Sequence, residues 1–247
     1  MDLHRSYSKQ VRRNLGFFPV WPPGDSVAPG DLGRLDGGIF YREGTLAKEM
    51  GIVDLQVTHR PMKGLTRFRS SDCSSTGVKA SGGAPVAAGV TGTAQMTLTF
   101  ASAGGVAFDA TDCTEQIIAD VLELCERSQS DGALWPAERV LVTRVTLARN
   151  FLVVVSGEDG ASVDLSGNAS ALGSWNLAGA DLSSSKGNSG GFQCVGAGPI
   201  LIGLYGTKWW KKLLGIDEPG PLSLSSPALA HTEDDFIELP ARNAGFD

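Results

Sequence analysis

The residues that could carry out nucleophilic chemistry are a serine, a histidine and an aspartate spread along the chain. Ser189 lies between glycines in the run 187–191, Gly-Asn-Ser-Gly-Gly, and such glycines let backbone N–H groups point toward an oxyanion. A serine nucleophile also needs a general base and a carboxylate that orients this base. His59 is the candidate base, and Asp109 or Asp112 is the candidate carboxylate.

The order His59, Asp109, Ser189 resembles that of trypsin-like peptidases, so a serine peptidase is the alternative function that the sequence offers. Three features argue against it. His59 is followed by Arg60 and Pro61 rather than lying in a turn of small residues. Residues 183–191 are so rich in serine and glycine that the motif arises easily by chance, and a helix predicted just after Asp109 would interrupt the strands of that fold. We therefore expect a protein that is not an enzyme.

Sites for a metal, a cofactor or a nucleic acid are not indicated either. The cysteines have no C-x-x-C spacing and no nearby histidine, which predicts reduced, mostly buried thiols in a cytoplasmic protein. No glycine-rich phosphate loop follows a clear strand. A basic segment around residue 60 contains Phe68 as its one aromatic residue, so the stacking platform of a single-strand binder is missing.

The net charge divides the chain into two parts. The 247 residues carry a formal charge of −6. Residues 217–247 hold seven acidic residues and one arginine, which equals the charge of the whole chain and leaves residues 1–216 neutral. We therefore predict a body over 1–216 and an acidic tail over 217–247.

Two basic surfaces are predicted within the body. The first is an amphipathic helix with Leu3, Tyr7, Val11 and Leu15 on its apolar side, which is either a solvated surface helix or one that rests on anionic lipid. Its basic residues are Arg5, Lys9, Arg12 and Arg13. The second surface lies in residues 55–71, which contain no acidic residue, and consists of Arg60, Lys63, Arg67 and Arg69. Both surfaces could attract an acidic partner.

Alternation of apolar and polar residues predicts strands at 90–100 and, with the exception of Leu172, at 162–177. Residues 74–108, which include the first segment, carry the single charge of Lys79. The apolar positions are Val90, Ala94, Met96, Leu98 and Phe100 in the first segment, and Val163, Leu165, Ala169, Trp175 and Leu177 in the second. The pattern fits a closed β-barrel with one face toward lipid and one toward water, and it fits equally a soluble sheet rich in Gly, Ser and Ala.

Other elements are predicted from local signals. Asp112 as N-cap and Glu115 three residues later predict a helix over 112–128. Runs rich in Val, Leu and Thr predict strands over 140–155 and 192–205, and short strands around 39–42 fit between turns. A segment with several prolines then leads to a short apolar patch able to dock on the body, and this part of the tail consists of Asp234, Asp235, Phe236, Ile237 and Leu239.

The order of these elements resembles the pore-forming domain of the gasdermins, and most of all the compact bacterial members. The matching segments are Gly82-Gly83-Ala84 with the threonine-rich strand to Phe100, the predicted helix 114–128, and the strand beginning Glu138-Arg139-Val140. The resemblance covers about residues 76–207. It is one of pattern and order without a diagnostic motif, and the proline-rich segment 19–44 matches no part of the family pattern.

The resemblance implies a fold and a sequence of activation and assembly steps. The fold is α+β, an extended twisted antiparallel sheet flanked by a few helices, with a short regulatory tail. The body would be a latent monomer in the cytoplasm until an activating protease removes the tail. It would then form a homo-oligomer, insert hairpins from about 76–108 and 140–205, and permeabilise an anionic cell membrane, causing cell death and, in bacteria, antiviral defence. The chain has no cysteine before Cys73 for lipid attachment. A non-catalytic α+β interaction module remains a further alternative.

Overall fold

The fold consists of two antiparallel β-sheets with helices packed at their faces. A computed structural model of the protein describes residues 2–62, 67–75, 79–80, 93–121, 123–124, 139–173, 177, 184–188, 191–207 and 236–238. The helices are Leu3–Leu15 (α1), Leu46–Met50 (α2) and Ala169–Gly173 (α3). The strands of the first sheet are Phe18–Pro19 (β1), Asp31–Asp36 (β2), Ile39–Thr45 (β3), Val57–Pro61 (β4), Arg67–Arg69 (β5), Val106–Thr111 (β9), Thr114–Ile118 (β10), Val140–Val155 (β11), Phe192–Thr207 (β14) and Phe236–Glu238 (β15). Those of the second are Cys73–Ser75 (β6), Lys79–Ala80 (β7), Thr93–Phe100 (β8), Ser162–Asn168 (β12) and Ser184–Asn188 (β13).

Strand β11 is the centre of the first sheet. One of its edges pairs with β14 from Leu141 to Val155, while the other pairs in succession with β2, β10 and β9. Most of its 16 residues are buried, which explains why it is a nearly continuous apolar run instead of an alternating one. The predicted strands over 140–155 and 192–205 are confirmed by β11 and β14.

The second sheet has the order β13-β12-β8-β6, with β7 also paired to β8. Buried and more exposed positions alternate along β8 and β12, as the sequence predicts for strands with one covered face. The covered face packs against Ala107, Leu152 and Val154 of the first sheet, so the two sheets share one apolar cluster. The expected α+β class with an antiparallel sheet and few helices is confirmed.

The helix predicted over 112–128 is wrong at its start. Residues 114–118 form β10, which pairs with β11 on one side and with β4 on the other. Asp112 has a φ of 51°, in the left-handed region, instead of the extended conformation of an N-cap. Helical residues come later, at Val121, Glu123 and Leu124. Pairing with two neighbouring strands outweighs the local capping signal because it satisfies the backbone on both edges of β10.

The strand predicted over 162–177 is also too long. It ends at Asn168, and Ala169–Gly173 form helix α3. The Asn168 side chain accepts a hydrogen bond from the Ala171 backbone N–H at 3.2 Å, as a residue that caps a helix does. Alternation of small residues therefore continues past the point where the backbone turns away from β8.

Helix α1 lies on the first sheet with its apolar side inward. Tyr7 and Val11 are fully buried and pack in a cluster that includes Phe108 and Phe151. The helix ends at Gly16, whose φ of 76° places it in the left-handed region, and the Gly16 N–H donates to the Arg12 carbonyl. In the described part of the chain, no helix combines the length and the hydropathy required to cross a bilayer.

Candidate functional site

The paired strands β8 and β12 form an amphipathic unit. Leu98 lies opposite Val163 and both are fully buried, whereas Thr97 lies opposite Asp164 on the other face. Thr97 Oγ1 donates a hydrogen bond of 2.6 Å to Asp164 Oδ1. Asp164 is the one charged residue in these two strands, so the polar face consists almost wholly of uncharged hydroxyl and amide side chains.

The residues that the sequence assigns to a membrane face are buried within the protein in this conformation. Those in the described strands lie in the shared apolar cluster, and this set is Ala94, Met96, Leu98, Phe100, Val163 and Leu165. Ala169 belongs to α3 rather than to a strand, and it is buried in the same cluster together with Leu177. Val90 and Trp175 lie outside the described residues. Contact of this face with lipid requires that the two strands leave the first sheet and α3.

The C-terminal tail pairs with the body through its backbone. Phe236, Ile237 and Glu238 form β15, which lies antiparallel to Tyr205, Gly206 and Thr207 at the end of β14. Within the described residues, the tail thus pairs with the body at Phe236, Ile237 and Glu238. Asp234, Asp235 and Leu239 of the same prediction lie outside the described residues.

The outer edge of β14 is covered unequally. Its pairing with β1 involves Leu201 and Ile202, and β15 follows at the end of the strand. At residues 192–197, no strand in the described part of the chain pairs with this edge. Val195 is 52% exposed there. Unpaired backbone groups along such an edge can accept a strand from another chain.

The basic face of α1 is only partly exposed. Arg5, Lys9 and Arg13 are exposed, as the sequence predicts for residues that could meet anionic lipid. Arg12 does not belong to this face, since its side chain is buried and its guanidinium lies 5.3 Å from the centre of the Phe18 ring. Desolvation lowers the pKa of Arg12 to about 10, because burial penalises its charged form. The prediction of Arg12 as a lipid-contacting residue is therefore wrong for this conformation.

The second basic segment is largely engaged with acidic side chains. Arg67 Nε is 3.7 Å from Asp109 Oδ1, and Asp109 is fully buried. Arg69 is exposed on β5, while Lys63 lies outside the described residues. The segment is thus not a uniform positive patch, because its arginines compensate carboxylates that the linear sequence places elsewhere.

Arg60 belongs to a pocket that the sequence did not reveal. The pocket has a volume of 590 Å³ and is lined by Phe17, Arg60, Pro61, Met62, Glu115 and Arg144. Arg60 Nε lies 2.9 Å from Glu115 Oε2, and Arg144 Nη1 lies 3.8 Å from Glu115 Oε1. The pairing of β4 with β10 and of β10 with β11 brings these three residues together, although they are far apart in the chain.

The electrostatics of this pocket are unbalanced toward positive charge. Glu115 is buried between two guanidinium groups and can neutralise one of them. The Arg144 guanidinium lies 5.7 Å from the centre of the Phe17 ring, and its buried Nε has no hydrogen-bond acceptor within the described residues. An unmet buried donor costs on the order of 1–3 kcal/mol. The sequence signals for this pocket were Arg144 within the apolar run of β11 and Glu115 within the segment that forms β10.

The described members of the peptidase triad do not come together. His59 on β4 is exposed and lies opposite Gln116, which lies opposite Val145 of β11. Asp109 lies opposite Leu152 of β11. The seven residue-to-residue steps from 145 to 152 span about 23 Å at about 3.3 Å each, too far for a hydrogen bond between base and carboxylate.

The alternative carboxylate does not serve better. Asp112 lies at the junction of β9 and β10, four residues before the partner of His59, and Arg149 Nε is 3.9 Å from its carboxylate. Ser189 lies outside the described residues. The one pair of the triad that the structure describes is therefore not assembled as a relay.

The chain is similar in structure to a known protein but matches no family by sequence. No protein-family model matches the chain, and no curated protein matches it. The structure is similar to that of a bacterial gasdermin from Bradyrhizobium tropiciagri, with 13% sequence identity, coverage of 96% of this chain and 90% of that chain, and a TM-score of 0.36.

Proposed function

We propose that the chain is a latent pore-forming protein, held inactive by its C-terminal tail and released when a protease cuts between body and tail. The freed bodies then associate and permeabilise an anionic cell membrane. The observation that carries the proposal is the paired strands β8 and β12, with one wholly apolar face and one face that is nearly free of charge.

The two faces suit a strand that must exist first in a folded protein and then at a boundary of lipid and water. The apolar face of Met96, Leu98 and Val163 is buried in the protein core. Lipid chains are about as apolar as such a core, so transfer of this face into the bilayer costs little hydrophobic free energy. The opposite face carries hydroxyl groups that water can solvate, and a charge at the bilayer midplane, which costs roughly 2–4 kcal/mol, is largely avoided.

The tail supports the proposal through its position and its charge. Strand β15 occupies the end of β14, and β14 pairs from Phe192 to Tyr205 with β11, the centre of the first sheet. Residues 217–247 carry the whole net charge of −6, so their removal leaves a neutral body. The tail therefore reduces the affinity of the intact chain for an anionic surface, and cleavage removes that repulsion.

Exposed basic residues give the body a side that can face the membrane. Arg5, Lys9 and Arg13 project from α1, and each basic residue near an anionic leaflet contributes about 1 kcal/mol. Departure of β15 also frees the edge of β14 at residues 205–207, in addition to residues 192–197, which have no strand partner on this edge in the described chain. We propose this edge for contact between freed bodies, with the intact chain as monomer in the cytoplasm.

Cleavage of the folded chain tests the proposal. A protease recognition sequence is placed within residues 217–231, and vesicles of phosphatidylglycerol and phosphatidylcholine containing a self-quenched dye are added before or after cutting. We expect dye release after cutting and none before. A matched control carries the same sequence in scrambled order and receives the same protease. If the cut chain remains folded by circular dichroism and the vesicles stay intact, the proposal is wrong.

A further inference from the structure

We propose that the pocket between β4, β10 and β11 binds a phosphodiester monoanion whose ester groups are apolar. This inference does not depend on the proposed function, because it concerns a site on the intact chain. The site consists of Arg60, Glu115 and Arg144, with Phe17, Pro61 and Met62 as apolar walls.

The charge count identifies the charge of the ligand. Two arginines and one glutamate leave one positive charge in the pocket. Glu115 accepts a hydrogen bond from Arg60 at 2.9 Å, whereas the 3.8 Å separation from Arg144 is too long for one. Arg144 therefore keeps its charge poorly compensated, and a monoanion would complete the pairing.

The side-chain types identify the chemical group. Guanidinium is planar and presents parallel N–H donors that match the oxygens of phosphate. Arg144 is held in place by the Phe17 ring, since its guanidinium lies 5.7 Å from the ring centre, so its donors are oriented before a ligand arrives.

The walls and the size of the pocket indicate what the anion is attached to. Phe17, Pro61 and Met62 offer apolar surface beside the charges, and 590 Å³ lies within the range of small-molecule sites, about 300–1,000 Å³. A fully hydrated inorganic ion would leave these walls without contacts. An ester with apolar groups contacts both the arginines and the walls.

Such a phosphodiester has two possible sources, a soluble ester and a lipid headgroup. Both share the chemistry that the pocket recognises. Titration of the full chain with diethyl phosphate measures the first source, and co-sedimentation with phosphatidylcholine vesicles containing phosphatidylglycerol measures the second. Preference for one probe identifies the source, and saturable binding of either one through Arg144 supports the proposal.

Variants test the site through opposite effects. Arg144→Gln should weaken binding about 10-fold or more, and Arg144→Lys should also weaken it, because a lysine keeps the charge but loses the paired donors. Glu115→Gln should strengthen binding several-fold, because it removes the carboxylate that competes for the arginines. Arg149→Gln is the matched control, since Arg149 lies on the same strand but outside the pocket. Its affinity should equal that of the wild type.

The thermal unfolding midpoint is measured for each variant, so that loss of folding is not mistaken for loss of binding. If Glu115→Gln does not fold, the comparison of Arg144→Lys with Arg149→Gln decides alone. The proposal is overturned if neither probe binds saturably to the wild type, or if the Arg144 variants bind as well as the Arg149 control. It is tested without cutting the chain and without dye release, so its failure leaves the proposed function standing.

Discussion

Gly206 of β14 lies opposite Ile237 of β15. The tail thus adds a short strand to the outer edge of β14, whose other edge pairs with β11 at the centre of the first sheet. The contact joins the acidic tail to the body through backbone pairing. It also gives the proposed latency a specific place in the structure.

Loss of the β14–β15 pairing should activate the intact chain. Hydrogen bonds alternate between neighbouring positions of an antiparallel pair, so replacing both Ile237 and Glu238 by proline removes at least one N–H that the pairing uses. We expect the double variant to release dye from phosphatidylglycerol vesicles without any protease. The control carries prolines at Ser225 and Ser226, in the segment before β15, and should remain inactive. Equal leakage by both variants would show that the pairing is irrelevant to latency.

Gly38 should be required for the docking of α1. Its φ is 78°, and a Cβ there would lie at a clashing distance from Ser8 Oγ and 3.0 Å from Arg12 Nη1, both on α1. Ser8 Oγ also donates a hydrogen bond of 2.8 Å to the Gly38 carbonyl. We expect Gly38→Ala to lower the free energy of unfolding by about 2–4 kcal/mol, because the clash adds to the cost of the left-handed backbone.

Gly51→Ala is the matched control for this clash. Gly51 has a similar φ of 69°, but a Cβ there meets no atom within 4 Å. Its substitution should cost only about 1–2 kcal/mol, the cost of the backbone conformation alone. Urea denaturation of both variants measures the difference, and equal losses would contradict the proposed contact with α1.

Leu98 should contribute more to stability than the polar residues beside it. Its side chain is fully buried in the cluster shared by the two sheets. Leu98→Ala should therefore cost about 2–5 kcal/mol, through lost burial and a residual cavity. Thr93→Ala, at an exposed position of the same strand, should change stability by no more than about 0.5 kcal/mol. Chemical denaturation tests both values, and a small loss for Leu98→Ala would mean that β8 is only loosely held.

Cys73 should make stability fall in alkaline solution. Burial raises the pKa of its thiol to about 11. Two smaller effects act in opposite directions, since Arg69 lowers this pKa and Asp72 raises it. In the unfolded chain the thiol ionises near its ordinary pKa of about 8.5, so the unfolded state loses a proton first as the pH rises. The contribution is therefore fully present below about pH 8.5 and is lost between there and about pH 11.

A Cys73→Ala variant checks this effect. The slope of its unfolding free energy between pH 8.5 and 11 should be less negative than that of the wild type, while tyrosines and lysines contribute equally to both. Native alkylation at pH 8 should also modify the partly exposed Cys113 and Cys194 before Cys73. Modification of Cys73 at the same rate as the other two would show that this thiol is accessible.

The elements that could be predicted are those in which the order of apolar and polar residues matches the burial of each position. Strand β11 is buried along most of its length and is a continuous apolar run, and β8 has one covered face and alternates. In both cases the pattern of side chains follows from the environment of the strand itself. The sequence was misleading at 114–118, where a local capping signal favours a helix, because the pairing of β10 with two strands and the ion pair of the buried Glu115 with Arg60 of β4 are contacts between distant residues.

The candidate sites divide in the same way. The pairing of the tail joins Phe236–Glu238 to residues 205–207, which are distant in the chain, and the sequence indicated only an apolar patch able to dock. The apolar faces of β8 and β12 could be predicted, because each consists of alternating residues within one short segment. The pocket of Arg60, Glu115 and Arg144 could not, since its members are joined only by the pairing of three strands. Burial of Arg12 was missed because helical periodicity places it on the edge of the apolar side, and its contact with Phe18 comes from the fold.

The tail strand is joined to the body by the 28 residues from 208 to 235, and its described pairing involves only three positions. Because both strands belong to one chain, their pairing is intramolecular, so even a weak interaction stays occupied. A cut within residues 208–235 removes none of the three residue pairs that β15 forms with β14. After the cut, a tail strand that dissociates diffuses away instead of rebinding to the same body. Dilution alone then frees the edge of β14.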